Sequence, residues 1–243
     1  MAINMDILGR PKESPRMAPM RAGFTIIELS LVLTVIALIV AAVFLGGYIV
    51  RVSQLRAVVS EVEEIKTAIN TFVTKYNCLP GDCQNAQSYL GAGVTNGNGN
   101  GQIDYNGGAL GEEYQAWNHL SADGLLDGYY TGVATTSIPK SRLTGGLYRV
   151  SYQTSIYGKN ANMISINSIN LGSHYANLPV MSPVEANSID VKMDDGLAST
   201  GSVFGFNAQG IPGCATNFEN AASATYILTN KTNLCKMYFL LDY

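Results

Sequence analysis

The chain begins with a long apolar run that passes directly into an amphipathic stripe. Residues 29–50 include no charged side chain, and a helix needs about 20 apolar residues to cross a bilayer. Beyond this run, apolar side chains recur at alternating spacings of three and four, which is typical of one face of a helix. They are Leu55, Val58, Val62, Ile65, Ile69, Phe72 and Tyr76. The pattern predicts one helix of about 50 residues, with an apolar first half and an amphipathic second half.

The rest of the pattern predicts a small α+β domain. Alternating segments predict antiparallel strands at residues 148–156 and 162–167, and further strands at 202–206 and 236–241. Residues 112–126 can form a helix. A second helix is expected from Ser182, with Pro183 in the first turn and Glu185 completing a capping box. Residues 77–111 read as a loop. Charged side chains opposite the stripe are expected to face solvent; they include Arg56, Glu61, Glu63, Glu64 and Lys75.

One carboxylate, Glu28, stands at the start of the apolar run. Placing an acid in the hydrocarbon core costs roughly 2–3 kcal/mol or more, so this charge indicates a partner. Before it lies a segment with excess positive charge, which favours a cytoplasmic N-terminus. Its basic residues are Arg10, Lys12, Arg16 and Arg21. A plain uncleaved signal anchor is the alternative, and it leaves Glu28 unexplained.

The segment Gly23-Phe24-Thr25-Ile26-Ile27-Glu28-Leu29 resembles the cleavage and methylation motif of type IV prepilins and type II secretion pseudopilins. The resemblance implies that a prepilin peptidase cuts between Gly23 and Phe24 and methylates the new N-terminus. It also implies that Glu28 pairs with the N-terminal amine of a neighbouring subunit during assembly. The fold implied is pilin-like: a long N-terminal helix packed on a small antiparallel sheet.

The same resemblance implies the organisation and the function of the chain. Residues 1–23 would be a cytoplasmic leader, 24–50 a transmembrane and filament-core helix, 51–77 its amphipathic half, and 78–243 a periplasmic or extracellular domain. The protein would be anchored in a bacterial inner membrane by a single span and then enter a filament. Its partners would be other pilin or pseudopilin subunits, the peptidase, an inner-membrane assembly platform and lipid. The alternative is a minor tip subunit that acts as an adhesin or a cargo-binding module.

Charge and cysteine usage narrow the partners and the compartment. The net charge is −3, and acidic residues outnumber basic ones after the apolar run, which argues against a nucleic-acid partner. Four cysteines outside the cytoplasm are expected to form disulfides, and three pairings are possible. Their local grouping favours Cys78–Cys83 and Cys214–Cys235.

Two loops are candidate calcium sites. Asn96, Asn98 and Asn100 occupy positions 1, 3 and 5 of a calcium-loop pattern, with Asp104 at position 9. Position 12 is Gly107, where a glutamate is expected. A flexible Asn/Gly turn tract is the alternative.

The second candidate includes Asp194 and Asp195 within the segment 190–196. It resembles the acidic calcium loop of major pseudopilins. A helix C-terminus followed by a turn is the alternative for this segment.

The sequence shows few features that are typical of an enzyme active site. His119 and Asp123 with a serine could form a triad, but no nucleophile elbow, phosphate loop or paired zinc-spaced histidines accompany them. His119 is expected on the surface of its helix. We therefore expect a non-enzymatic protein.

Overall fold

The computed structural model divides the chain into two units, residues 1–47 and 48–243. It describes residues 23–105, 111–133, 138–168, 178–208, 211–216 and 223–243. The leader charges and Gly107 lie outside these ranges.

Four helices and four strands are present in the described ranges. The helices are α1 (Ile26–Tyr76), α2 (Ala86–Leu90), α3 (Glu112–Ala122) and α4 (Pro183–Met193). The strands are β1 (Leu147–Ile156), β2 (Lys159–Asn167), β3 (Val203–Asn207) and β4 (Cys235–Leu240). A long apolar N-terminal helix with a small antiparallel sheet is the α+β layout that the pattern predicts.

The first unit includes the apolar start of α1. Every side chain from residue 23 to 47 is exposed, including Leu29 and Phe44 at 56% and 77%. Helix α1 is long and apolar enough to cross a membrane by length and composition. Water does not stabilise such a surface, so it requires lipid or other apolar helices as its surroundings.

In the second unit, the amphipathic stripe of α1 packs into the core as predicted. Its buried residues are Leu55, Val58, Val62, Ile65, Ala68, Ile69 and Phe72. Tyr76 is half-buried and packs against Phe72 with the two rings tilted by 55° and their centroids 4.7 Å apart. Removing one large side chain from such a stripe typically costs 2–5 kcal/mol, which makes this stripe a principal attachment of the domain to α1.

Glu61 corrects the prediction that it faces solvent. Its carboxylate accepts hydrogen bonds from the Ser141 hydroxyl at 2.6 Å, the Tyr148 hydroxyl at 2.7 Å and the Arg142 main-chain N–H at 3.0 Å. The Tyr148 side chain is buried, so its hydroxyl needs this acceptor. Glu61 therefore fixes α1 to the chain that enters β1.

The sheet has the strand order β1-β2-β4-β3, and all neighbouring strands are antiparallel. Its core-facing positions are apolar and buried, as strand alternation requires. They include Val150, Ile164, Phe239 and Val203. Between β1 and β2 the chain reverses at Tyr157 and Gly158, which both have positive φ (49° and 81°), as a two-residue hairpin turn demands.

Helix α4 begins with the predicted capping box. Ser182 accepts the Glu185 main-chain N–H, and the Glu185 carboxylate accepts the Ser182 main-chain N–H. Glu185 also binds Arg51 of α1, with its oxygens 2.6 Å and 3.0 Å from Nε and Nη2. Burial opposes ionisation of Glu185, but the Arg51 and Ser182 hydrogen bonds hold its pKa below the usual value. This ion pair ties the start of α4 to α1.

Both disulfides follow the favoured pairing, with Cys78 bonded to Cys83 and Cys214 to Cys235. Helix α2 lies within the segment predicted as loop, because a five-residue helix is too short for a periodic pattern.

Replacing Glu61 tests its role as an attachment between α1 and β1. Glu61→Ala removes three hydrogen-bond acceptor contacts and should lower the free energy of unfolding by about 2–3 kcal/mol. Glu63→Ala, at an exposed position on the same helix, should change it by less than about 0.5 kcal/mol. Denaturant unfolding of the full chain in detergent, followed by the fluorescence of buried Trp117, measures both. Equal effects of the two substitutions would contradict this role.

Candidate functional site

The N-terminal candidate site consists of Gly23, Phe24 and the first turn of α1. Gly23 and Phe24 are exposed and precede the helix. Glu28 Oε2 accepts hydrogen bonds from the Thr25 main-chain N–H and hydroxyl, both at 2.8 Å, while the Glu28 N–H donates to Thr25 Oγ1 at 3.2 Å. This arrangement is a capping box, so Glu28 also has a local role in starting the helix.

The Asn/Gly tract folds around two buried carboxylates rather than around its own oxygens. Asp82 and Glu112 are 3% and 9% exposed. Each carboxylate accepts two main-chain N–H groups of the tract. The donors are Asn100 and Gly101 for Asp82, and Asn98 and Asp104 for Glu112, at 2.9–3.0 Å. Burial raises the pKa of both acids, and the main-chain N–H groups oppose that rise.

The asparagine side chains present hydrogen-bond donors where a cation would need oxygens. The Oδ1 atoms of Asn98 and Asn100 each accept the main-chain N–H two residues ahead, which fixes the orientation of both amides. Their Nδ2 groups converge on Asp104 Oδ2, each at 2.9 Å. Asn96 instead accepts the Gln87 main-chain N–H at 2.9 Å. Because calcium binds oxygens, the amides as they stand do not fit it at Asp104.

The second acidic loop brings three carboxylates together. Asp190, Asp194 and Asp195 offer oxygens that all lie within 4.8 Å of one another. Asp190 is fully buried, and it accepts the Gly196 main-chain N–H at 2.9 Å and the Tyr226 hydroxyl at 2.7 Å. The sequence placed Asp194 and Asp195 in this group, and the structure adds Asp190.

The three carboxylates of this cluster supply oxygens of the kind that calcium binds, at a spacing that one ion can share. Two ligands of one Ca²⁺ lie at most about 5 Å apart, because each is 2.3–2.6 Å from the ion. Within the described ranges, none of the four salt bridges involves these three acids, so no basic side chain neutralises them there. The surrounding chain orients the other two members, of which Asp194 is half-buried and Asp195 is exposed. Asp194 accepts the N–H groups of Ser202 and Val203, and Asp195 accepts the Leu197 N–H and the Thr200 hydroxyl.

His119 is buried, which corrects the prediction that it lies on the helix surface. Its Nδ1 accepts the Gly81 N–H at 2.9 Å, and its Nε2 lies 2.8 Å from the Thr95 carbonyl, so the ring is held neutral with the proton on Nε2. Burial lowers its pKa. Asp123 is engaged elsewhere, by the Lys75 ammonium and the Tyr76 hydroxyl. His119 therefore connects main-chain segments of the domain.

Sequence reasoning missed the structural role of Asp82 and the burial of Asp190. The sequence did contain a signal for the burial of Asp190, because Asp190 lies four residues after Ala186, on the helix face that includes the other buried residues of α4. The other buried members are Pro183, Ala186 and Ile189. For Asp82 the local pattern carries no signal, because its partners lie 18 and 19 residues further along the chain.

Comparison with family models, with curated proteins and with solved structures gave no match.

The titration of Asp190 gives a testable pH dependence. Burial raises its pKa from 3.8 to about 6, and Asp195 and Asp194 add to that rise. The folded state therefore binds a proton more tightly than the unfolded state, so this group stabilises the fold as pH falls from about 6 towards 4. We expect Asp190 to contribute a gain of about 2 kcal/mol in unfolding free energy between pH 7 and pH 4.5.

Asp190→Asn should remove this contribution, while Asp127→Asn, at an exposed position, should keep it. Denaturant unfolding of the three proteins at both pH values isolates Asp190 from the other titrating groups. Identical pH profiles for the wild type and Asp190→Asn would contradict the assignment.

The same variants test the calcium hypothesis. Ca²⁺ bound only by the folded state would raise the unfolding temperature at pH 7 by mass action. We expect millimolar Ca²⁺ to do so for the wild type and Asp127→Asn, and to have little effect on Asp190→Asn. No shift in any of the three would exclude calcium at this cluster.

Proposed function

We propose that this chain is a structural subunit of a type IV pilus or a type II secretion pseudopilus. On this proposal it is cleaved between Gly23 and Phe24 by a prepilin peptidase and assembles through its N-terminal helix. The observation that carries the proposal is an exposed apolar helix surface that starts with one carboxylate, Glu28. Its partners are other pilin or pseudopilin subunits, the inner-membrane assembly platform and, before assembly, lipid.

The exposure of the apolar segment supports burial against other copies of the same helix. Lipid covers this surface in the membrane, but a filament outside the membrane needs a different apolar environment. Neighbouring subunits provide it, because each brings the same uncharged run beyond Glu28. The globular domains then remain outside the bundle and form the outer layer of the filament.

The position of Glu28 supports a charge-pairing mechanism for assembly. Cleavage creates a positively charged amine on Phe24, four residues before Glu28. Inside an apolar bundle the attraction between unlike charges is much stronger than in water. The amine of an incoming subunit pairs with Glu28 of a subunit already in the filament, which neutralises both charges. Because each subunit has one such carboxylate, the pair also sets the axial register.

The capping box at Thr25 gives Glu28 a competing local role, and two substitutions separate the roles. Glu28→Gln keeps an acceptor for the Thr25 N–H but removes the charge, whereas Glu28→Ala removes both. If charge pairing drives assembly, both variants should insert in the membrane and be cleaved, yet yield few filaments. Filament yield is measured by shearing and immunoblotting, and cleavage by the mobility of the membrane-bound protein.

Thr25→Val is the matched control, because it removes the hydroxyl of the capping box and leaves the Glu28 charge in place. We expect near-normal assembly from this variant. Normal filaments from Glu28→Gln, together with failure of Thr25→Val, would assign Glu28 to helix capping and would contradict the charge-pairing role.

A further inference from the structure

Three consecutive Asn-Gly pairs lie in the described loop at residues 96–101. Asparagine before glycine is prone to deamidation, because glycine has no Cβ to hinder its nitrogen from reaching the preceding side chain. The glycine nitrogen attacks the asparagine Cγ, its proton goes to the departing amide group, and ammonia leaves as a succinimide forms. Water then opens the ring to aspartate or isoaspartate.

The fold engages the attacking nitrogen of all three pairs. The Gly97 N–H donates to the Cys83 carbonyl, the Gly99 N–H to the Asp82 carbonyl, and the Gly101 N–H to Asp82 Oδ2, each at 2.9 Å. The nitrogen must lose its proton to attack. A hydrogen-bond acceptor opposes that loss, and a carboxylate opposes it most because it would then face a second negative charge.

The electrophilic side chains are also held in place. Asn98 and Asn100 each use Oδ1 to accept a main-chain N–H and Nδ2 to bind Asp104. A side chain with both amide atoms bonded cannot turn its Cγ toward the next nitrogen without breaking these bonds. Both reactants are therefore restrained in the closed loop.

The segment that restrains both reactants is residues 78–83, which the Cys78–Cys83 disulfide closes, and we call it the clamp. Its main chain lies against the tract so closely that a Cβ on Gly97 would come within 2.3 Å of the Asp82 carbonyl carbon and of the Gly81 carbonyl oxygen. Asp82 is almost fully buried and supplies acceptors to Gly99, Asn100 and Gly101. Opening this segment would release the restraints on both reactants together.

We propose that Asn98 and Asn100 are latent deamidation sites that Asp82 and the Cys78–Cys83 disulfide hold unreactive in the folded protein. Once an asparagine of the tract has been deamidated, the loop does not return to its closed conformation. Deamidation replaces an Nδ2 donor to Asp104 by a carboxylate, so like charges would face each other where hydrogen bonds had been. With buried Asp82 and Glu112 beside them, the closed loop is then strongly disfavoured.

Peptide mapping by mass spectrometry measures the reaction in the full chain in detergent, at mildly alkaline pH, against a synthetic peptide of residues 94–105. We expect Asn98 and Asn100 to deamidate at least about tenfold more slowly in the protein than in the peptide. Cys78→Ser combined with Cys83→Ser leaves the Cys214–Cys235 disulfide intact and should raise the rate at both sites toward that of the peptide. Asp82→Asn removes the carboxylate that accepts the Gly101 N–H and should raise the rate at Asn100. Glu63→Gln, which removes a charge at an exposed position of α1 and creates no Asn-Gly pair, should keep the wild-type rate.

Asn187, which precedes Ser188 in α4, reports global unfolding. Faster reaction at Asn98 and Asn100 with no change at Asn187 supports a local clamp. If Asp82→Asn unfolds globally, the wild type, the peptide and the variant without Cys78 and Cys83 still test whether the clamp slows the reaction. Peptide-like rates in the folded wild type would overturn the proposal. So would an unchanged rate when the clamp is removed from a folded protein.

Discussion

An uncharged helix surface that begins at a single carboxylate is the constraint on which the rest of this structure depends. The side chains in the first part of α1 are all exposed, and the length and composition of α1 suit a membrane span. Such a surface is stable only in lipid or against similar helices. Under the proposed function, Glu28 changes from a cost in the membrane to the contact that orders one subunit on the next.

The globular domain uses carboxylates in a different way, as acceptors that fix irregular chain to regular elements. Glu61 holds the chain that enters β1 to α1, and Asp82 and Glu112 hold the Asn/Gly tract. Buried acids are costly unless they are hydrogen-bonded, and Asp82 and Glu112 each accept two main-chain N–H groups. Glu61 is half-buried and accepts one main-chain N–H and two hydroxyl groups. The Asp190 cluster differs, because three acids lie close together and none of them forms a salt bridge with a basic side chain in the described ranges.

Sequence patterns predicted the elements that depend on residues close together in the chain. They failed for side chains whose partners are distant in the sequence. The stripe of α1, the capping box of Ser182 and the β1–β2 hairpin follow from spacings of two to four residues. Glu61 reads as a solvent-facing acid because its partners lie 80 to 87 residues away. The prediction that His119 lies on the helix surface is wrong for a similar reason, since its hydrogen-bond partners Gly81 and Thr95 lie 38 and 24 residues away in the chain.

The first residue of the mature protein tests the central claim most directly. Mass spectrometry of the N-terminal peptide, from protein isolated from its native membrane, identifies that residue and its modification. The proposed function predicts a chain that begins at Phe24 with a methylated amine, so that the positive charge lies four residues before Glu28. Peptides that run intact across Gly23–Phe24, or a mature terminus elsewhere, would contradict it.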